Sequence, residues 1–77
     1  MDPVLVRFDL ASAHLQQHDV AEACRVGREA LSIPPEHRTS PIARRATELL
    51  AELAPHEASR GVRAFREFVH DALPAVA

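Results

Sequence analysis

Two histidines, His14 and His18, stand four residues apart, a spacing that puts paired imidazoles on one helix face in zinc sites. They are two of five histidines in a chain of 77 residues. A zinc site needs further ligands, and no cysteine or carboxylate stands at a matching offset. Both imidazoles also fall in the last turn of an expected helix, where a cation meets the negative end of the helix dipole. That is reason enough for their presence, and no metal is expected. Cys24, the single cysteine, lies on an apolar stripe and reads as a small core residue rather than a nucleophile.

Other catalytic constellations are missing. With only Gly27 and Gly61 there is no glycine-rich phosphate loop, and neither an H-E-x-x-H nor a G-x-S-x-G pattern occurs. Glu48, Glu52 and Glu67 occupy helix-surface positions and read as partners for arginine. Arg63 with Glu67, and Arg44 and Arg45 with Glu48, have spacings worth a few tenths of a kcal/mol each. Arg38, Arg44, Arg45, Arg60, Arg63 and Arg66 would form a shallow basic patch if the last two helices aligned. The acidic residues between them, Glu48, Glu52, Glu57, Glu67 and Asp71, make a solvated face the better reading. A non-enzymatic chain without cofactors is expected.

The elements that position these residues are all helical, because no stretch alternates with the period of two that marks a strand. Asp2 followed by Pro3 opens helix one, about Pro3 to Gln17. Asp19 caps helix two, Val20 to Ile33, with Glu22 three residues on in a capping-box arrangement. Pro34-Pro35 forbids its continuation. Ser40-Pro41 repeats the cap-and-proline signal for helix three, Pro41 to Leu53, and Ala54-Pro55 ends it. Helix four begins between His56 and Gly61, with Ser59 one possible cap, and runs to about Leu73 before Pro74.

Helices two, three and four each show one clean apolar stripe. In helix two it is Val20, Ala23, Cys24, Gly27, Ala30 and Leu31. In helix three it is Ile42, Ala46, Leu49, Leu50 and Leu53, and in helix four Val62, Phe65, Phe68, Val69, Ala72 and Leu73. The short connection from Pro55 to Gly61 predicts that helices three and four pair antiparallel. Helix one has two apolar sides, Val4, Phe8, Ala11 and Leu15 against Val6, Leu10 and Ala13. Such a helix needs cover on both, from a neighbouring repeat, a second copy, or helices three and four folding back around it.

Composition sets the outer bounds. The hydrophobic fraction is 47% with 26% charged residues, the balance of a globular chain. All nine basic residues are arginine, there is no Lys, Asn, Trp or Tyr, and net charge is −2. Charges of both signs are interspersed, so no field draws the chain to nucleic acid. No apolar run nears the 18 residues of a membrane span. The acidic start lacks a basic leader, and the lone cysteine suits a reducing compartment. A single domain spanning residues 1–77, in the cytoplasm, is expected. Its small size buries only about 60% of the unfolded chain's surface.

Leu10 to Pro35 carries a pattern of its own. The tetratricopeptide repeat places an aromatic, Leu-Gly, Tyr, Ala, Phe, Ala and Pro at fixed offsets, which fall here on Arg7, Leu10, Ala11, His14, Ala23, Gly27, Ala30 and Pro35. Leu10, Ala11, Ala23, Ala30 and Pro35 match in kind, while Arg7, His14 and Gly27 depart. Gln17-His18-Asp19 sits where such repeats often carry Gly-Asp. The segment resembles one tetratricopeptide-like repeat.

The second half is similar to the C-terminal segment of actinobacterial helix-turn-helix transcriptional regulators. The residues that carry this are Arg38-Thr39-Ser40, Arg44-Arg45 through Leu53, Leu53-Ala54-Pro55-His56 and Val62-Arg63-Ala64-Phe65-Arg66-Glu67. The resemblance implies two helical hairpins of an α-solenoid and a regulatory or assembly role through protein contacts. The DNA-reading domain of such regulators is absent from this chain. An alternative is a groove between helices one and two that senses a peptide or small ligand.

In tetratricopeptide proteins the first helix of each pair lines the concave surface. That register assigns Leu5, Phe8, Ser12, Leu15 and Gln16 to the interaction surface. Gly27 is expected to bring helices one and two unusually close. The uncovered side of helix one predicts a homodimer at micromolar concentration.

Overall fold

Helix α1 (Pro3–Gln16) stops where His18 turns left-handed, with φ at 64°. The amide of His18 donates to Leu15 O and that of Asp19 to His14 O, both at 2.9 Å. This doubly bonded end normally places glycine at the left-handed residue. Asp19 then begins α2 (Val20–Leu31), its carboxylate accepting from the Glu22 amide at 3.2 Å. The capping box is only half formed, because the Asp19 amide already belongs to α1 and the Glu22 carboxylate turns to Arg25. The expected cap at Asp2 lies outside the described residues, which are 3–73 of this computed structural model.

Helix α2 ends two residues earlier than Pro34 alone requires. Ser32 leaves helical geometry while its hydroxyl donates to Arg28 O at 2.7 Å, and Ile33, preceding a proline, is disfavoured in a helix. A 3₁₀ turn over Pro35–His37 leads to α3 (Ser40–Leu53), which starts at Ser40, one residue before the expected Pro41. A second 3₁₀ turn, Ala54–His56, precedes α4 (Arg60–Ala72), with Ser59 at its cap position. Pro74 lies outside the described residues. Among the described residues all regular structure is helical.

Helix α2 is the hub. It shares its largest contact with α1 and its next with α4, while α3 leans mainly on α1. The pairing of α3 with α4 expected from their stripes is slight, since each is held chiefly by the first two helices. Their cleanest side chains meet over α2 instead. A Cβ at Gly27 would stand 3.0 Å from Leu49 Cδ2 and 3.0 Å from Phe65 Cε1 and Cζ. Gly27 is thus a close-contact point, but toward α3 and α4 rather than α1.

The core joins all four helices through Phe8, Leu31, Ile42, Leu49, Leu53, Val62, Phe65 and Val69, each nearly or wholly excluded from solvent. Val26, off the expected stripe of α2, is also buried, because a helix with three neighbours is covered over a wider arc. A radius of gyration of 11.2 Å equals the value of about 11 Å for a globular chain of this length.

Candidate functional site

Helix α1 carries the assigned interaction surface, and its rotation about its own axis decides which side chains can serve. Phe8 is 1% exposed and Ala11 wholly buried. Leu5 and Leu15 are half-buried against the same cluster. The Ser12 hydroxyl donates to Glu52 Oε2 of α3 at 3.1 Å, and Arg45 of α3 binds Asp9. Of the five assigned residues, only Gln16 is exposed. Phe8 is therefore a core residue and not part of an exposed surface, while Ser12 is tied to α3 by its hydrogen bond.

The opposite side of α1 is uncovered. Val6 is 42% and Leu10 48% exposed, the only large hydrophobic side chains so placed among the described residues. Ala13 continues the line, also exposed. Positions 6, 10 and 13 follow the spacing of one helix face. The sequence signal for this face was already present in the second apolar side of helix one. The tetratricopeptide register pointed instead to Leu5 and Phe8. Among the five positions that match the repeat pattern, Ala11, Ala23 and Ala30 are fully buried, whereas Leu10 and Pro35 are exposed.

Four of the nine arginines are held by carboxylates or a carbonyl among the described residues. Arg45 binds Asp9 and reaches Glu48 at 3.5 Å, and Arg66 binds Glu57 at 3.0 Å. Arg38 Nη1 donates to Ala72 O, a carbonyl at the end of α4, at 3.3 Å. The expected pairs of Arg63 with Glu67 and of Arg44 with Glu48 do not form among the described residues. Arg25 is held between Glu22 and Glu29. Its hydrogen bond lowers the Glu22 carboxyl below the ordinary carboxylate range.

Cys24 is buried at 3% exposure, and burial pushes its thiol above the ordinary range. The neutral thiol is not the nucleophilic form. No three His, Cys, Asp or Glu side chains among the described residues cluster closely enough to hold a metal ion. No helix of the described residues is long and apolar enough to cross a membrane.

A half-open cleft of about 340 Å³ lies where the outer side of α2 meets the start of α4. Ala21, Cys24 and Arg28 line it from α2, Ser32 from just past the end of α2, and Gly61 from α4. The Arg28 guanidinium sits 5.6 Å from the centroid of the Phe68 ring. Compared with known protein families, curated proteins and solved structures, the chain finds no match in any of the three.

Proposed function

We propose that the chain is a non-enzymatic helical module that makes protein–protein contacts through the outer face of α1. The observation that carries this reading is the exposure of Val6 and Leu10 on one face, since every other large hydrophobic side chain described is less exposed than these two. Exposed apolar side chains aligned on a helix suit the apolar face of another helix. In this reading α1 and α2 form one tetratricopeptide-like hairpin, supported by the three-residue connection and by the buried Ala11, Ala23 and Ala30. The module then serves assembly or regulation, as the resemblance to regulator segments implies.

A second copy is the partner most directly tested. Sedimentation from about 10 µM to about 1 mM should show the average mass rising toward that of a dimer only near the top of the range, as expected for a contact this small. Leu10→Glu should abolish that rise while leaving helical content unchanged. A strict monomer throughout, or association that Leu10→Glu does not weaken, would overturn self-contact through this face.

A further inference from the structure

Gly61 has no evident structural reason to be glycine. Its φ is not in the left-handed region. A Cβ there would meet nothing closer than Ser59 Oγ at 3.6 Å and Cys24 at 3.8 Å, ordinary contact distances. Within a helix glycine is destabilising relative to alanine. Gly27 shows the contrast, since its missing Cβ makes room for Leu49 and Phe65. What the missing side chain at Gly61 does is leave the cleft between α2 and α4 open beside Cys24.

The charge beside that cleft is selective. Arg25 and Glu29 border it but are bound to each other, with Glu22 as Arg25's second partner. Arg28 makes no ion pair among the described residues, and its guanidinium lies over the Phe68 ring. A guanidinium resting on an aromatic face keeps the N–H edges of its fork available for a planar carboxylate. The Ser32 hydroxyl donates to Arg28 O and so has no hydrogen left for a carboxylate, which leaves the Arg28 guanidinium as its donor. Ala21, Cys24 and Gly61 supply an uncharged wall.

We propose that this cleft binds a small amphipathic monocarboxylate, its apolar body against Ala21, Cys24 and Gly61 and its carboxylate on Arg28. The volume of about 340 Å³ falls at the lower end of small-ligand sites, about 300–1,000 Å³. The Glu29 carboxylate at the border disfavours multiply charged anions such as phosphate. The site is separate from the α1 face and does not depend on its role.

The test uses the full chain, labelled with ¹⁵N, titrated with sodium octanoate and followed by amide chemical shifts. Saturable shifts should centre on residues 21, 24, 28, 32 and 61. Arg28→Gln should weaken binding at least about tenfold, a change of about 1.4 kcal/mol. Gly61→Leu should block binding by filling the cleft, with folding of both variants checked by circular dichroism. 1-Octanol should bind at least tenfold more weakly, and inorganic phosphate should leave these amides unmoved.

The proposal is overturned if octanoate gives no saturable shifts at millimolar concentration or shifts centred on Val6 and Leu10. Equal binding by Arg28→Gln or by 1-octanol would remove the carboxylate from the recognition. Equal shifts with phosphate would reduce the site to a general anion contact.

Discussion

At the scale of single residues, the two glycines make opposite predictions. Gly27→Ala gains about 0.5–1 kcal/mol of helix propensity but drives a methyl group to 3.0 Å from Leu49 and Phe65. Those neighbours are 2% and 0% exposed and have little room to retreat, and overpacking costs about 1–3 kcal/mol. The clash should win, with a net loss of about 1 kcal/mol and a melting temperature lower by about 4–8 °C. Gly61→Ala meets no such neighbour and should stabilise by up to about 1 kcal/mol. A thermal melt in which both move the same way would refute the packing argument. His18 is the third special position. Its left-handed backbone costs a residue with a Cβ about 1–2 kcal/mol, against about 0.5–1 kcal/mol for the greater unfolded freedom of glycine. His18→Gly should therefore raise stability modestly, by roughly 0.5–1 kcal/mol in urea denaturation. Cys24, its thiol raised by burial, contributes stability that is intact below the ordinary thiol range and declines as pH rises through it. Its reaction with a disulfide reagent at pH 8 should be slower than in the denatured chain by roughly tenfold or more.

At the scale of elements, the arrangement depends on α2 presenting small residues to its neighbours. Ala23, Gly27 and Ala30 are buried along it, and Phe65 from α4 and Leu49 from α3 close over Gly27. Phe65→Ala should cost about 3–5 kcal/mol and Leu49→Ala about 2–5 kcal/mol. Against a total of about 4–11 kcal/mol for a chain of this size, either loss should abolish or sharply lower the cooperative melt. A melt for both variants near the wild-type temperature would show that the core is not organised around this point. Much of this was legible beforehand. Asp19, Pro34-Pro35, Ser40-Pro41 and Ala54-Pro55 mark the helix ends to within two residues, because caps and prolines act locally on the backbone. The partner of each stripe was not legible. A clean stripe on α3 and another on α4 say that each must be covered, and a short connection suggests mutual cover. The missing Cβ at Gly27 instead lets both reach α2. Burial of Val26 follows from the same three-sided packing and leaves no separate trace in the periodicity. At the candidate site, Val6 and Leu10 were visible as a second apolar side. The rotation that turns Phe8 inward goes with tertiary packing of Phe8 and Ala11 in the shared core, and the contacts of Ser12 with Glu52 and Asp9 with Arg45 that accompany it join residues 36 or more apart in sequence.

At the scale of the whole molecule, the two sides of α1 have opposite fates, and this bounds how tightly the protein can hold a partner. Val6 and Leu10 each retain less than half of their exposure. Covering them completely on both copies of a two-fold pair would yield roughly 3–6 kcal/mol, about half the value of fully burying four such side chains. Association in free solution costs an estimated 4–15 kcal/mol in lost freedom. The face is therefore too small by itself for the micromolar dimer that the two apolar sides of helix one predict, because Phe8 and Ala11 on the other side are buried in the core. It suits a helix held nearby by other contacts, where effective concentrations reach the millimolar range. The same geometry separates two substitutions on one helix. Phe8→Glu places a carboxylate in a site 1% exposed and should unfold the chain or leave it aggregated. Leu10→Glu, two residues on, changes a side chain already facing solvent and should alter stability by no more than about 0.5 kcal/mol. Circular dichroism melts of the two variants decide the matter. A folded, cooperative Phe8→Glu variant would mean that α1 is rotated about its axis, with Phe8 on the surface and Leu10 in the core. A severe loss in Leu10→Glu would carry the same meaning from the other side, and would remove the exposed face on which the proposed function rests.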